Sequence, residues 1–251
     1  MYFNVAFDSS VSTAPTAFKA CVNAVCQYYD ALFTNNVAVS VSVGWGEVGG
    51  QKIDAGALGE SSSFYFTQDY SQVAAALKAQ NAPGASTLPA ISPASGNLQV
   101  TTAESRALGV ANSSGSDGAI GIDSTQQWFY DPTQSQAVPS NAYDFFGTVA
   151  HELSEVMGRG SNLNVADTYT VLDLYRYASN GVRQLTAGVP AACGASGDTG
   201  FSVATGPLTL NTGTAAYCID ETGVIRVNSA AAGGGAGPAA PCSTSGFPPL
   251  Q

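Results

Sequence analysis

Asp144-Phe-Phe-Gly-Thr-Val-Ala-His-Glu-Leu-Ser-Glu-Val-Met-Gly158 contains the only histidine of the chain, His151. Apolar residues fall at Phe145, Phe146, Val149, Leu153, Val156 and Met157. That three-and-four spacing predicts an amphipathic helix. Asp144 suits its N-cap, and Gly158, with Arg159 beside it, suits its stop. On such a helix His151 and Glu155 share one face, one turn apart. Glu152 follows the histidine directly.

Two ligands one turn apart, with a glutamate beside them, form the pattern of the His-Glu-x-x-His zinc helix. There the glutamate takes a proton from metal-activated water. In this chain Glu155 stands where the second histidine would be. A lone helical histidine is usually only a histidine. Yet this one sits with two glutamates inside five residues, in a chain where charge is scarce. Burying unpaired carboxylates costs several kcal/mol, and a metal ion is one of the few partners that offsets it. The alternative is a salt bridge from Arg159 or Arg176 to Glu155 or Glu152.

Thr148 to Gly158 resembles the active-site helix of the zincin metallopeptidases. Gly158 also fits the metzincin pattern, seven residues after the histidine. The chain departs from that pattern at Ser161, where the third histidine would fall, and its only methionines are Met1 and Met157, so it has no Met-turn. The fuller resemblance is to secreted bacterial metalloprotease-like proteins. It rests on His151-Glu-Leu-Ser-Glu-Val-Met-Gly-Arg159, Leu172-Asp-Leu-Tyr-Arg-Tyr177, Phe3-Asn-Val-Ala-Phe-Asp8 and Val43-Gly-Trp-Gly-Glu-Val48, and runs over roughly residues 3–185. It implies zinc, or another divalent metal, held by His151, Glu155 and a third ligand after the helix. Asp173 is the first choice because it lies in the matching segment; Asp167 and Ser161 are weaker. Glu152 would be the general base. Tyr177, Tyr175 or Arg176 would steady an oxyanion, or else pack a strand and pair a carboxylate.

The 251 residues allow one large domain or two small ones. Hydrophobic residues make up 45%, so a core is not limiting. Only 10% are charged, against about 25% on average, so the surface must be built from small polar side chains. That composition suits a secreted protein. The net charge is −10 with no basic run, which argues against phosphate-led nucleic-acid binding and against anionic membranes. No apolar run reaches the ~18 residues of a membrane span. No signal peptide is visible, which fits a mature or trimmed chain with an added start methionine. A nucleophile elbow and a phosphate loop are both missing.

Residues 3–7 and Val37–Trp45 alternate as strands, with Ala14–Phe33 a helix between them. Strand, helix, strand implies a crossover and a mixed sheet. Ser63-Phe-Tyr-Phe66 predicts a strand. Residues 53–66 are the candidate for the edge strand that, in zincins, binds peptide by main-chain pairing. Thr67–Gln80 predicts a second helix, Asn81–Ser95 a loop, Leu98–Thr101 a strand and Thr102–Leu108 a short helix. Asn112–Gly118 is a loop, with Asp117 in an ordinary turn. Ala119–Asp123 is a strand and Trp128–Pro132 an aromatic turn. Strand, Trp loop and His-Glu helix is also the order found in matrixin-like metzincins. Residues 178–251 are rich in glycine and alanine, with short strands at 201–203, 208–210 and 223–227.

Five cysteines fall at 21, 26, 193, 218 and 242. Cys193–Cys218 is the first candidate for a disulfide, which would fit an oxidising compartment. Cys21 and Cys26 are five apart on a helix, about 8–9 Å between Cα atoms by its rise and radius. That is too far for a disulfide.

The expectation is an α+β fold: a zincin-like mixed sheet with long helices over residues 1–185, then a Gly/Ala-rich, disulfide-stapled extension over 186–251. The expected activity is secreted, metal-dependent cleavage of peptide bonds by a monomer acting on protein or peptide. The rival is a non-catalytic secreted binding or surface protein on the same scaffold.

Overall fold

A computed structural model of the chain describes residues 1–93, 96–162, 168–179, 182–183, 185, 200–201, 216–219 and 225–228. The backbone gathers into two compact units. One comprises residues 1–68 and 99–160; the other comprises 69–98, without the two outside the described set, and the described residues from Ser161 onward. The boundary expected at 185–186 falls beside residues outside the described set.

The first unit opens with β1 (Tyr2–Phe7), a 3-10 turn (Ser9–Thr13), α1 (Ala17–Leu32) and β2 (Ala38–Trp45). The helix starts three residues later than its periodicity suggests. The Asp8 carboxylate accepts from Ser10 N at 2.8 Å and holds the preceding residues in the tighter turn. A hairpin of β3 (Glu47–Val48) and β4 (Gln51–Lys52) turns through Gly49 and Gly50. Then come β5 (Gly59–Ser63) and β6 (Tyr65–Asp69), and, in the second unit, α2 (Tyr70–Ala79). After β7 (Asn97–Thr101) the first unit resumes with α3 (Thr102–Leu108), β8 (Gly118–Ile122), β9 (Trp128–Phe129), β10 (Tyr143–Asp144) and α4 (Phe145–Val156).

The sheet of this unit runs β1-β2-β8-β5. Its first three strands are parallel, and β5 pairs antiparallel with β8. The mixed α/β architecture agrees with the crossover read from the opening segment. On β2 the valines 39, 41 and 43 are buried, as strict alternation requires. All five residues of β8 are buried, as suits an inner strand. Of these, Ile120 and Ile122 pack with Phe18, Val22 and Val25 of α1 and with Phe145, Val149, Leu153 and Val156 of α4 in one core. Phe18 and Phe145 meet edge to face at 5.1 Å between ring centroids, joining the two helices. Tyr29 on α1 donates its hydroxyl to Ala150 O on α4 at 2.7 Å.

Further differences from the sequence reading lie around β5 and α2. Ser63-Phe-Tyr-Phe66 is not one strand. The chain breaks at Phe64, whose N–H goes to Asp117 O at 3.0 Å and whose carbonyl takes Thr102 N at 2.9 Å. Before the break, Gly59-Glu-Ser-Ser-Ser63 forms β5. It has no apolar alternation and is held by its register, from Gly59 opposite Ile122 to Ser63 opposite Gly118. Helix α2 starts at Tyr70 rather than Thr67, because Asp69 supplies the cap, accepting from Ser71 N at 2.7 Å.

Asp117 is no ordinary turn residue. It is fully buried and accepts from Ser40 N at 2.8 Å, Thr102 Oγ1 at 2.6 Å and Arg106 Nη2 at 2.7 Å. It ties together β2, α3 and the entry to β8.

Cys21 and Cys26 are both free and buried in the core of an unbroken α1, as the helix spacing required. Burial pushes both thiols up to about 12. Only the thiolate reacts with alkylating reagents. The peptide carrying both should therefore stay unmodified by iodoacetamide in the native protein and gain two adducts in denaturant. Native-state labelling read by peptide mass spectrometry would contradict this burial.

In the second unit, Tyr70, Val73, Ala74 and Leu77 of α2 are buried, as expected. A 3-10 turn at Leu172–Tyr175 leads into β11 (Arg176–Ser179), which lies between β12 (Val182–Arg183) and β13 (Gly200–Phe201). Arg183 donates to Leu174 O, and to Gly84 O at 2.6 Å and Thr87 Oγ1 at 3.0 Å. A separate antiparallel pair joins β14 (Ala216–Ile219) and β15 (Ile225–Asn228). The strand expected at 208–210 and the Cys193–Cys218 bridge lie outside the described residues. Among the described residues no helix is long and apolar enough to cross a membrane.

Candidate metal centre

Helix α4 turns its apolar stripe into the core of the first unit and lies against β5 and β8. Asp144 holds the N-cap position, but its side chain makes no cap hydrogen bond; its Oδ2 instead folds over Gly147, where a Cβ would lie 2.5 Å away. Past the C-cap Met157 the chain turns out of the helix at Gly158, with φ +114°. A Cβ there would approach the Glu104 carboxyl to 2.7 Å, so both backbone and space call for glycine. Burial pushes that Glu104 carboxyl up to about 8.

The one-turn spacing brings His151 and Glu155 together. Nε2 and Oε1 are 3.3 Å apart, with the side chains 14% and 32% exposed. Glu155 Oε2 accepts from Ser61 Oγ of β5 at 2.6 Å. Arg159 Nη2 reaches Glu155 Oε1 at 3.4 Å and His151 O at 3.3 Å. Its Nε donates to Ser154 Oγ, which donates to His151 O at 2.6 Å. Burial on its own would raise Glu155. The hydrogen bonds from His151 and Ser61, with the charges of His151 and Arg159, outweigh it and hold the carboxyl below its usual range.

Glu152 is 6% exposed. A Cβ on Gly59 would meet Glu152 Oε1 at 2.9 Å, its Cγ at 3.0 Å and Thr148 Cγ2 at 3.0 Å. The bare backbone of β5 is what lets this carboxyl lie against the sheet edge. Burial first, and the Glu155 charge second, push Glu152 up to about 8, with Arg159 pulling the other way. Tyr65 lies near the same carboxylates: burial raises its hydroxyl pKa, and the charges of Glu155 and Glu104 add to the shift.

The remaining expected residues lie in the second unit. Asp173 is fully buried. Its carboxylate accepts from Ser161 Oγ at 2.5 Å, Asn162 N at 3.1 Å, and Thr170 N and Oγ1 at 2.8 and 3.0 Å. Arg176 is buried, and that burial lowers its pKa, with the charges of Asp173 and Tyr169 pulling the other way. Tyr175 has the Arg183 guanidinium 5.2 Å from its ring centroid. The Tyr177 backbone lies on β11, opposite Arg183 and Gly200; its side chain, like the whole of Asp167, is outside the described residues.

Among the described residues no group of three or more His, Cys, Asp or Glu side chains is arranged to hold a metal ion. The pair of His151 and Glu155 does fit one. Two donors on one tetrahedral zinc, with bonds of about 2.0–2.1 Å, stand about 3.3–3.4 Å apart. Imidazole nitrogen and carboxylate oxygen are both ligands zinc accepts. The sequence reading missed Gly59, Ser61 and Tyr65 as members of the site. Gly59-Glu-Ser-Ser-Ser63 carries no chemical signal of its own, and only its register beside α4 reveals it. No family model, curated protein or solved structure matches the chain.

Proposed function

We propose that this chain is a secreted, metal-dependent endopeptidase of zincin type. The observation that carries the reading is the convergence of His151 Nε2 and Glu155 Oε1, with buried Glu152 beside them on one helix. A bound divalent ion, zinc first, would polarise the scissile carbonyl and make the attacking water more acidic. His151 and Glu155 would hold it. With the charge of that ion offsetting the burial that raises its pKa, the Glu152 carboxylate would take the proton of that water and return it to the leaving amine as the C–N bond breaks. The edge strand β5 supports the same reading. Its inner side pairs with β8, and among the described residues no further strand pairs with its outer edge, where an extended peptide would add. Peptide pairing there would lie beside Glu152 and Glu155.

A second reading has one observation in its favour. Arg159 already pairs with Glu155 at 3.4 Å, which a non-catalytic binding protein could use to neutralise the carboxylate. Metal analysis separates the two. The parent protein is expected to hold about one equivalent of zinc, the occupancy of a single catalytic site, and Glu155→Ala to hold almost none. A parent that binds no zinc when it is offered at neutral pH leaves the ion-pair reading in front. Asp173→Ala belongs in the same titration. Lost zinc makes Asp173 the third ligand; unchanged zinc leaves it the anchor of its own loop.

A further inference from the structure

We infer that Ser61 is a positioning residue that sets which oxygen of Glu155 faces the metal; the inference rests on the metal reading above. A glutamate has three side-chain torsions, one more than histidine, and two equivalent oxygens. Replacing a histidine ligand by glutamate therefore leaves the donor less fixed unless something else holds it. Ser61 does so. Its Oγ donates to Glu155 Oε2 at 2.6 Å, while Oε1 is the oxygen 3.3 Å from His151 Nε2. A hydroxyl bonded to an ionised carboxylate is a strong, directional contact. One oxygen is held and the other is presented.

The placement follows from strand geometry. Residues two apart on a strand face the same way. Gly59 meets Glu152 and Thr148 of α4, and Ser61, two residues on, meets Glu155 of the same helix. One face of β5 thus addresses both glutamates of the site: Gly59 by leaving room, Ser61 by donating. Ser61 is opposite Ile120 in the β5–β8 ladder, a partner buried at 0% exposure, so the serine sits on a fixed register. Arg159 also reaches Glu155, but at 3.4 Å and to Oε1, so it does not hold the second oxygen.

The test is a zinc competition titration against a chromophoric chelator, using the full chain as parent, Ser61→Ala and Ser61→Thr, with thermal melts of each. Partners that orient a metal ligand typically contribute 10–100-fold to affinity. Ser61→Ala is expected to weaken zinc binding by about that factor. Ser61→Thr, which keeps the hydroxyl and suits a strand, is expected to restore most of it, with the melting temperatures of all three alike. Parental affinity in Ser61→Ala overturns the role of Ser61 alone. Equal loss in the alanine and threonine variants makes the serine a packing residue and also overturns it. No zinc binding by the parent overturns the metal reading and this role with it.

Discussion

Glu152→Gln is expected to lower kcat for peptide hydrolysis by about 10²–10⁴-fold, the contribution of a positioned general base. In barrier height that is about 2.7–5.5 kcal/mol. The amide matches the carboxylate in shape. It should fit against Gly59 and Thr148 as the glutamate does, where a Cβ on the strand would come within 2.9 Å of the carboxylate oxygen. What it lacks is a site to accept a proton. Zinc content and KM should therefore stay near the parent values while kcat falls, the signature of an interaction made only in the transition state. Zinc stoichiometry on the same preparations makes the comparison clean. Unchanged turnover with zinc bound would remove Glu152 from the chemistry. A fall in zinc content matching the fall in rate would move its role from base to support of the metal.

Asp117→Ala is expected to cost about 3–5 kcal/mol of folding stability, the penalty for breaking a buried, hydrogen-bonded ion pair. Domains have roughly 5–15 kcal/mol in total, so this would bring the first unit close to its limit. Removing the carboxylate leaves Ser40 N and Thr102 Oγ1 without their acceptor, and takes from Arg106 its only carboxylate partner among the described residues. Burial tends to raise Asp117. The Arg106 and Thr102 hydrogen bonds, the Ser40 N–H and the Arg106 charge outweigh it, so its folded pKa lies below the ordinary value. A lowered carboxyl pKa stabilises the fold fully above the unfolded value and loses that contribution as pH falls through the folded value. The gap between parent and variant should thus be widest near neutral pH and shrink in acid. Urea melts at both ends of that range read it directly. Equal midpoints at neutral pH would show that Asp117 is not the anchor its contacts make it.

The Phe145–Val156 helix was legible because its stripe is periodic and its end is marked by Gly158. The β1–α1–β2 opening was legible for the same reason: Val39, Val41 and Val43 alternate, and Phe18, Val22 and Val25 recur at helical spacing. His151 and Glu155 needed only the helical repeat to be placed together. In these elements the local pattern and the tertiary packing agree, so a period read along the chain carries over to the fold.

Elsewhere no period was available. Strand β5 has a polar, small-residue sequence that would serve equally well as a loop, and its hydrogen bonds come from β8, about 55 residues away in the chain. Its register beside α4 is what brings Gly59 to Glu152 and Ser61 to Glu155. Asp117 looks like any acid in a Ser/Gly loop until Arg106, Thr102 and Ser40 converge on it. By itself the sequence determined the mixed α/β class, the His-Glu helix and the pairing of His151 with Glu155, because those depend on repeats of two and 3.6 residues. Only the tertiary structure decided which strand covers that helix and which side chain donates to Oε2 of Glu155. Those depend on contacts between segments far apart in the chain, and a hydrogen-bond register leaves no mark in local composition.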